Sequence, residues 1–382
     1  MHTNILIIGG GPAGFNAAKA ASSSGKEIII AGSEPFYPYW RPRLPDVIRT
    51  ETPVESILLQ KKEWYETRAI KVFTKKTADY IDVKAKSVRW KDGSTTEYDT
   101  LILACGAFSN IPRLPLEIPN IHVLRTYEDA LSIKKDCSQT GKAFVIGGGV
   151  LGLETAFAIA ESGCKVSVSD ISEYPLPRQL DKEGGLFFKQ LMEQKGIHIY
   201  CAEPPEMYHN DIDGACVIAA AGVRASLDLA TTCGLKTNRG ILVDQTMKTS
   251  VDDIYACGDV AEFSGVMPGL ITIAAEQGKI AGQNAAGIKT FYNPVLPSPT
   301  IKVAGVTVLS VGSMELTDGT KIYRTNNNEN YSAAIVSNGK LTGAAFIGDI
   351  SPGLKFKKLM ETSPQIGYVS SFSDIYKLCM DL

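Results

Sequence analysis

Apolar residues in this chain fall into short unbroken runs that end on glycine, and the arrangement recurs. Near the start, Ile5-Leu6-Ile7-Ile8 leads into Gly9-Gly10-Gly11-Pro12-Ala13-Gly14 and an alanine-rich segment from Phe15 to Ala21. Further on, Ala143-Phe144-Val145-Ile146 leads into Gly147-Gly148-Gly149-Val150-Leu151-Gly152 and then Leu153 to Ala160. Such runs predict strands buried on both faces, each followed by a tight turn and a small-residue helix. Each copy then reaches a second strand, Glu27 to Ala31 and Lys165 to Ser169. Units of this kind make parallel sheets with right-handed crossovers. Lys71 to Ala104 follows another rhythm, alternating apolar and polar positions around Lys91-Asp92-Gly93. That predicts a small antiparallel insert returning to a strand at Thr100 to Leu103. Ala215 to Ala221 predicts one more buried strand, and Gly240-Ile241-Leu242-Val243 opens a section ending at Ile254-Tyr255-Ala256-Cys257-Gly258-Asp259. From about Pro294 the chain predicts strands followed by short helices, a separate, smaller domain of α+β character.

The repeated G-x-G-x-x-G turns carry the first chemistry. Gly9 and Gly147 permit the tight turn, Gly11 and Gly149 let the backbone approach a pyrophosphate, and Gly14 and Gly152 let helix lie close on strand. The helix N-terminus then offers free N–H groups and the positive end of its dipole. One such turn is weak evidence; two in the same strand–helix context predict two Rossmann-like dinucleotide-binding units. Asp170 closes the second strand of the second unit, eighteen residues after Gly152, where a carboxylate accepts from a ribose diol. Ile171 and Ser172 supply no cation for a 2′-phosphate, so NADH is expected over NADPH. In the first unit Glu34 lies twenty residues after Gly14, just past Gly32-Ser33, as a ribose ligand or a solvated turn carboxylate.

Composition narrows the classes. The 382 residues are 44% hydrophobic and 21% charged with a formal net charge of −2, which suits a globular protein of two or three domains and not a general nucleic-acid binder. No apolar run approaches the roughly 20 residues needed to span a bilayer, and no secretory leader is recognisable, so no membrane partner and a cytoplasmic address are expected. The eight cysteines and four histidines are scattered without metal-ligand spacing, and the cysteines are expected mostly as small buried apolar residues.

Five motifs in order make the pattern resemble the two-dinucleotide flavoprotein reductases related to pyridine nucleotide–disulfide oxidoreductases. They are Gly9 to Gly14, Tyr39-Trp40-Arg41-Pro42-Arg43-Leu44, Leu103-Ala104-Cys105-Gly106-Ala107, Gly147 to Glu154, and Tyr255 to Asp259. Within that group the chain looks like the NADH:rubredoxin oxidoreductases, through Tyr37-Pro38 before the arginine motif, Leu176-Pro177-Arg178-Gln179-Leu180-Asp181, and Pro297-Ser298-Pro299. The resemblance implies an FAD-binding domain at 1–110 and 237–293, an NAD-binding domain at 111–236 and a C-terminal domain at 294–382. It implies FAD contacts from Gly9, Gly11, Pro12, Ala13, Gly14, Ser33, Glu34, Ala104, Gly106 and Gly258, with Arg41 near the pyrophosphate, Ala78 at the adenine and Asp259 on the ribityl chain. NADH would meet Gly147, Gly149, Val150, Leu151, Gly152, Asp170 and Gly222, with Glu154 beside the nicotinamide.

The departures from the family are equally informative. Disulfide reductases carry a cysteine pair on the helix facing the flavin, whereas Pro35 to Val47 contains no cysteine, which excludes a dithiol relay there. The lysine that related ferredoxin reductases place after the arginine motif is Asp46, leaving Glu154 without that partner. The implied function is an NADH-dependent FAD reductase that passes electrons to a small redox protein such as rubredoxin. An NADH oxidase, a nitrite-reductase component and a non-catalytic flavin redox sensor are the alternatives. Arg41 with Arg43, and Lys355 with Lys357 and Lys358, are the candidate basic docking clusters, the second being also readable as a solvated helix face.

Overall fold

The computed structural model describes residues 1–113, 118, 120–267, 269–362, 365–367 and 369–381. In the first unit the parallel strands Ile70–Phe73, Ile28–Ala31, His2–Ile8 and Thr95–Leu103 lie side by side, and Ile254–Ala256 pairs parallel with the last of them. Ile5–Ile8, Ile28–Ala31 and Leu101–Leu103 are buried on both faces of the sheet, which is why they read as unbroken apolar runs. Thr95–Leu103 does two jobs. Its first half pairs antiparallel with Ser87–Trp90, and Ala78–Asp82 completes the alternating insert; its second half joins the parallel sheet. Because Ile254–Ala256 runs in register with Leu101–Leu103, Gly258 and Asp259 arrive at the same carboxyl edge as the Gly9 turn, the edge where open α/β sheets bind ligands.

The second unit is a five-stranded parallel sheet in the order His198–Cys201, Lys165–Asp170, Lys142–Ile146, Cys216–Ala219, Ile121–Val123. A short antiparallel ribbon, Ala107–Ser109 with Val223–Ala225, joins the two passages of chain between the units. Among the described residues no helix is long and apolar enough to cross a membrane.

Five antiparallel strands in the order Thr300–Val303, Val306–Gly312, Lys340–Ile347, Tyr331–Ser337, Thr320–Asn326 form the third sheet, followed by the helices Gly353–Thr362 and Phe372–Met380. The α+β reading holds, and this domain packs closely on the second unit. Strand Tyr331–Ser337 is apolar on both faces: Ala334 and Val336 pack with Phe346, Phe356 and Ile375, while Ala333 and Ile335 share a core with Leu153, Ala156 and Phe188 of the second unit. A charged contact fixes the junction. Asp181, 3% exposed, accepts from Arg324 Nε at 2.7 Å and from the Tyr331 hydroxyl at 2.7 Å. Asp181→Ala strands the Tyr331 hydroxyl and leaves Arg324 with Glu183, at 3.2 Å. Breaking a buried ion pair costs about 3–5 kcal/mol, and the partial exposure of Arg324 puts this one near the low end. A denaturation midpoint within about 0.5 kcal/mol of wild type, the range of an ordinary surface change, would contradict that role.

Candidate functional site

Helix Pro12–Ala21 starts from Gly11 with extended backbone, no side-chain cap and no acid in its first turn, and helix Val150–Glu161 starts from Gly149 in the same way. By contrast, helices Tyr127–Thr140 and Phe372–Met380 begin with full capping boxes at Thr126 and Ser371. The two glycine-turn helices therefore present unsatisfied N–H groups, as an anion site requires. The glycines are sterically required. A Cβ on Gly14 would lie 2.0 Å from the Gly9 carbonyl oxygen, and one on Gly152 1.9 Å from that of Gly147. At Gly149 a Cβ would meet nothing within 4 Å, and at Gly11 only Arg41 Nε at 3.9 Å, so these faces are open to a ligand's phosphates. Ala13 packs beneath Gly258, whose N–H donates to the buried Gln277 Oε1 at 3.0 Å.

Around the first turn the charges interlock. Arg41 Nη2 lies 2.7 Å from Glu34 Oε1, and Arg41 Nη1 donates to the Arg125 carbonyl oxygen at 2.6 Å. The Tyr39 hydroxyl also donates to Glu34, so this carboxylate is held by two neighbours and does not stand free at the strand end. Arg125 reaches the same place from the other unit. Its Nη2 donates to the Ala107 carbonyl oxygen at 2.9 Å and lies 3.7 Å from Asp259 Oδ2 and close to Gly106. Burial, and then the like charge of Arg41, push the Arg125 pKa down, with Asp259 acting against them. Its Nε is buried without a hydrogen-bond partner. A half-buried guanidinium with an orphan donor, beside Asp259 and an uncapped helix, fits the phosphate-rich half of a dinucleotide. The sequence reading passed over Arg125. Its signal is the cation in Leu124-Arg125-Thr126, directly before the Thr126–Asp129 capping box. The remaining expected contacts lie nearby in the chain's path: Ala78 opens the insert strand, and Lys76 N donates to the Gly32 carbonyl oxygen beside the exposed Ser33.

In the second unit Asp170 sits at its strand end and accepts from Gly148 N at 2.5 Å and Ser172 N at 2.7 Å. Next to it Ile171 is 98% exposed, an apolar surface beside a ribose-type acid. Gly222, with φ +87°, is exposed at the start of the connecting ribbon. Glu154 is half-buried on the helix that packs against Leu44–Arg49. Burial, and then the charge of Asp46, push its pKa up to about 7. Asp46 itself is held by Arg43 and Arg49, each at 2.8 Å. Where a lysine partner was in question, the structure supplies a second acid. Burial raises the pKa of both thiols next to the first site, Cys257 and Cys105, the latter to about 12, which disfavours their thiolates.

Two glycine-turn units meeting at a pair of arginines, with an acid at the end of each second strand, define a two-dinucleotide oxidoreductase architecture. Residues 3–278 match the family model for pyridine nucleotide-disulphide oxidoreductase, and the chain belongs to that family. Residues 297–363 match the model for the rubredoxin NAD+ reductase C-terminal domain. The chain is 44% identical over 373 residues to NADH-rubredoxin oxidoreductase of Clostridium acetobutylicum, covering 98% of both proteins. It is 32% identical over 366 residues to the assimilatory nitrate reductase electron transfer subunit of Bacillus subtilis, covering 90% of this chain and 47% of that one. Its structure superposes with a TM-score of 0.92 on the crystal structure of NADH:rubredoxin oxidoreductase from Clostridium acetobutylicum, at 43% identity over 99% of this chain and 100% of that one.

The position of Glu154 yields a test. A carboxyl whose folded pKa lies above its unfolded value of 4.5 destabilises the fold once ionised, a cost absent at low pH and full above about 7. Glu154→Gln should therefore raise the thermal midpoint at about pH 8 and change it little at about pH 5, with flavin content kept. Parallel midpoint curves for the two proteins across that range would contradict the burial of this acid.

Proposed function

We propose that this chain takes electrons from NADH on to a bound FAD and passes them singly to rubredoxin or a similar small electron-carrier protein. The observation that carries the reading is a pair of uncapped glycine-turn helices, the first beside linked Arg41, Arg125 and Asp259, with no cysteine between Pro35 and Val47. FAD, when bound, supplies the hydride acceptor and the conversion from two-electron to one-electron transfer. The protein's part is to bind and align.

In the first unit the N–H groups after Gly11 would hold the FAD pyrophosphate, with Arg41 and Arg125 balancing its charge. Gly9 and Gly14, with Pro12 and Ala13, keep helix and strand close enough for that approach. Ser33 and Glu34 would accept from the adenosine ribose once Glu34 exchanges part of its contact with Arg41. Ala78 would face the adenine, Ala104 and Gly106 would line the flavin, and Asp259 would bond the ribityl hydroxyls. In the second unit Gly147, Gly149 and Gly152, with Val150 and Leu151, would take the NADH pyrophosphate. Asp170 would accept from the ribose hydroxyls and repel a 2′-phosphate, and Ile171 would cover the adenine. Glu154 and Gly222 would border the nicotinamide half. No side chain is required as a general acid or base, and a cytoplasmic address accompanies this reading.

Several of the basic side chains considered for docking the acceptor have partners within the chain. Arg41 turns inward to Glu34, and Arg43 shares Asp46 with Arg49. Lys355 donates to the Met380 carbonyl oxygen and Lys357 to Ser298 Oγ, so both brace the C-terminal domain. Trp40, Arg43 and Lys358 remain exposed.

NADH should be preferred over NADPH by at least about tenfold in kcat/KM, equivalent to roughly 1.4 kcal/mol. Asp170→Ala should narrow the gap chiefly through KM for NADH; equal efficiencies in the wild type would defeat the assignment. With NADH saturating, turnover with rubredoxin should fall as salt rises from about 0.01 to 0.5 M, while reduction of a small neutral dye changes far less. Lys358→Glu should raise KM for rubredoxin and spare dye reduction. Dye reduction without any rubredoxin reduction would move the acceptor to oxygen or a nitrogen oxide.

A further inference from the structure

A second cluster of chemistry-bearing side chains lies on the same sheet as Asp170, at the opposite end of its strands. Cys216 is the first residue of its strand and pairs with Ala143, whereas the glycine turn follows Ile146. At a strand rise of roughly 3.3 Å per residue, the two ends are about 13 Å apart. His122 of the edge strand, Asp136 of helix Tyr127–Thr140 and Cys216 converge there. His122 Nε2 is 3.0 Å from Asp136 Oδ2, and one donor atom from each of the three residues lies within 4.8 Å of the other two. Cys216 is fully buried, and its thiol touches both the Cys137 thiol and Asp136. His122 and Asp136 line a groove of about 610 Å³ on the outer side.

We propose that His122, Asp136 and Cys216 bind a divalent cation of the zinc class, with water from the groove as fourth ligand. The donor set decides the class: an imidazole nitrogen, a carboxylate oxygen and a sulfur suit a borderline-soft ion, whereas magnesium and calcium take oxygen almost alone. Zinc bonds of about 2.0–2.3 Å place tetrahedral ligands roughly 3.3–3.8 Å apart. The observed separations, from 3.0 Å to no more than 4.8 Å, bracket that range, so small side-chain rotations close the site. The groove gives a route of entry, and Lys135 on its wall works against any cation, which sets a limit on affinity. Hydrogen bonding to Cys137, and then burial, raise the pKa of the Cys216 thiol, which works against binding. On binding, its S–H bond breaks, the S–Zn bond forms and the proton leaves through the groove. The ligands join the edge strand, a central strand and the helix that follows Arg125, so the ion would brace the unit and take no part in electron transfer.

The test uses FAD-loaded protein, purified without chelators and titrated with cobalt(II) alone, then with zinc(II) alone. Cobalt should give tetrahedral absorption bands in the red, beyond the flavin's own spectrum, saturating at one equivalent, and zinc should abolish them. Zinc should also raise the thermal midpoint, as a ligand of the folded state does. Cys216→Ala and His122→Asn should each remove the bands and the midpoint rise while retaining flavin; Cys379→Ala, a buried cysteine elsewhere, should keep both. His122 is half-buried, so its variant serves if the Cys216 variant fails to fold. Absence of the bands in wild type overturns the proposal. So does their persistence in folded His122→Asn, or a Cys137–Cys216 disulfide found by mass in the untreated protein.

Discussion

Where helix Ile271–Ala285 crosses helix Pro12–Ala21, two glycines face two carbonyl oxygens with no room for a methyl group between them. A Cβ on Gly278 would lie 2.2 Å from the Ala13 oxygen, and one on Gly282 2.1 Å from the Ala17 oxygen. This close approach sets the position of everything at the first site. It puts Gln277 under the Gly258 N–H, which turns the chain so that Asp259 follows beside the glycine loop. It also packs the first helix tightly enough to hold its uncapped N-terminus at the sheet's carboxyl edge. A cofactor's pyrophosphate can then be met by backbone, and the side chains are left to supply charge.

Charge is arranged across the junction between units. Arg41 from the first unit and Arg125 from the segment entering the second are joined through the Arg125 carbonyl oxygen, with Glu34 and Asp259 as their acids. In this half-buried place burial first, and then the repulsion between the two guanidiniums, lowers the pKa of Arg125. The pyrophosphate of the proposed FAD would relieve that strain, and fold and ligand would then stabilise one another. The third sheet is held in a comparable way, by the shared apolar core and the buried Asp181.

Much of this was legible in the chain. Fully buried parallel strands must be continuous apolar runs, and a helix lying on a strand needs glycine at fixed offsets, so the two units announce themselves at Ile5 to Gly14 and Ala143 to Gly152. The family resemblance placed Arg41, Asp170 and Asp259 at strand ends or on the motif loops where the structure has them. Arg125 escaped because a lone cation before a capping box does not name its partners: its importance comes from packing between Gly106, Ala107 and Asp259, distant in sequence. Glu34 and the lysines at 355 and 357 illustrate the same limit, since composition shows a charge but not the partner that occupies it. The union of the third sheet with the second unit was hidden for a related reason. An apolar strand face announces burial without naming what covers it.

The account's central claim is that the chain holds one redox centre, a flavin aligned by two dinucleotide sites, with no thiol relay beside it. Anaerobic titration of the FAD-loaded protein with NADH, followed through the flavin absorbance, tests this directly. The account predicts complete bleaching at one NADH per FAD, with no further oxidation of added NADH until an acceptor is supplied. Uptake of a second equivalent, as a disulfide in series with the flavin would require, or a flavin that NADH fails to bleach, would contradict it.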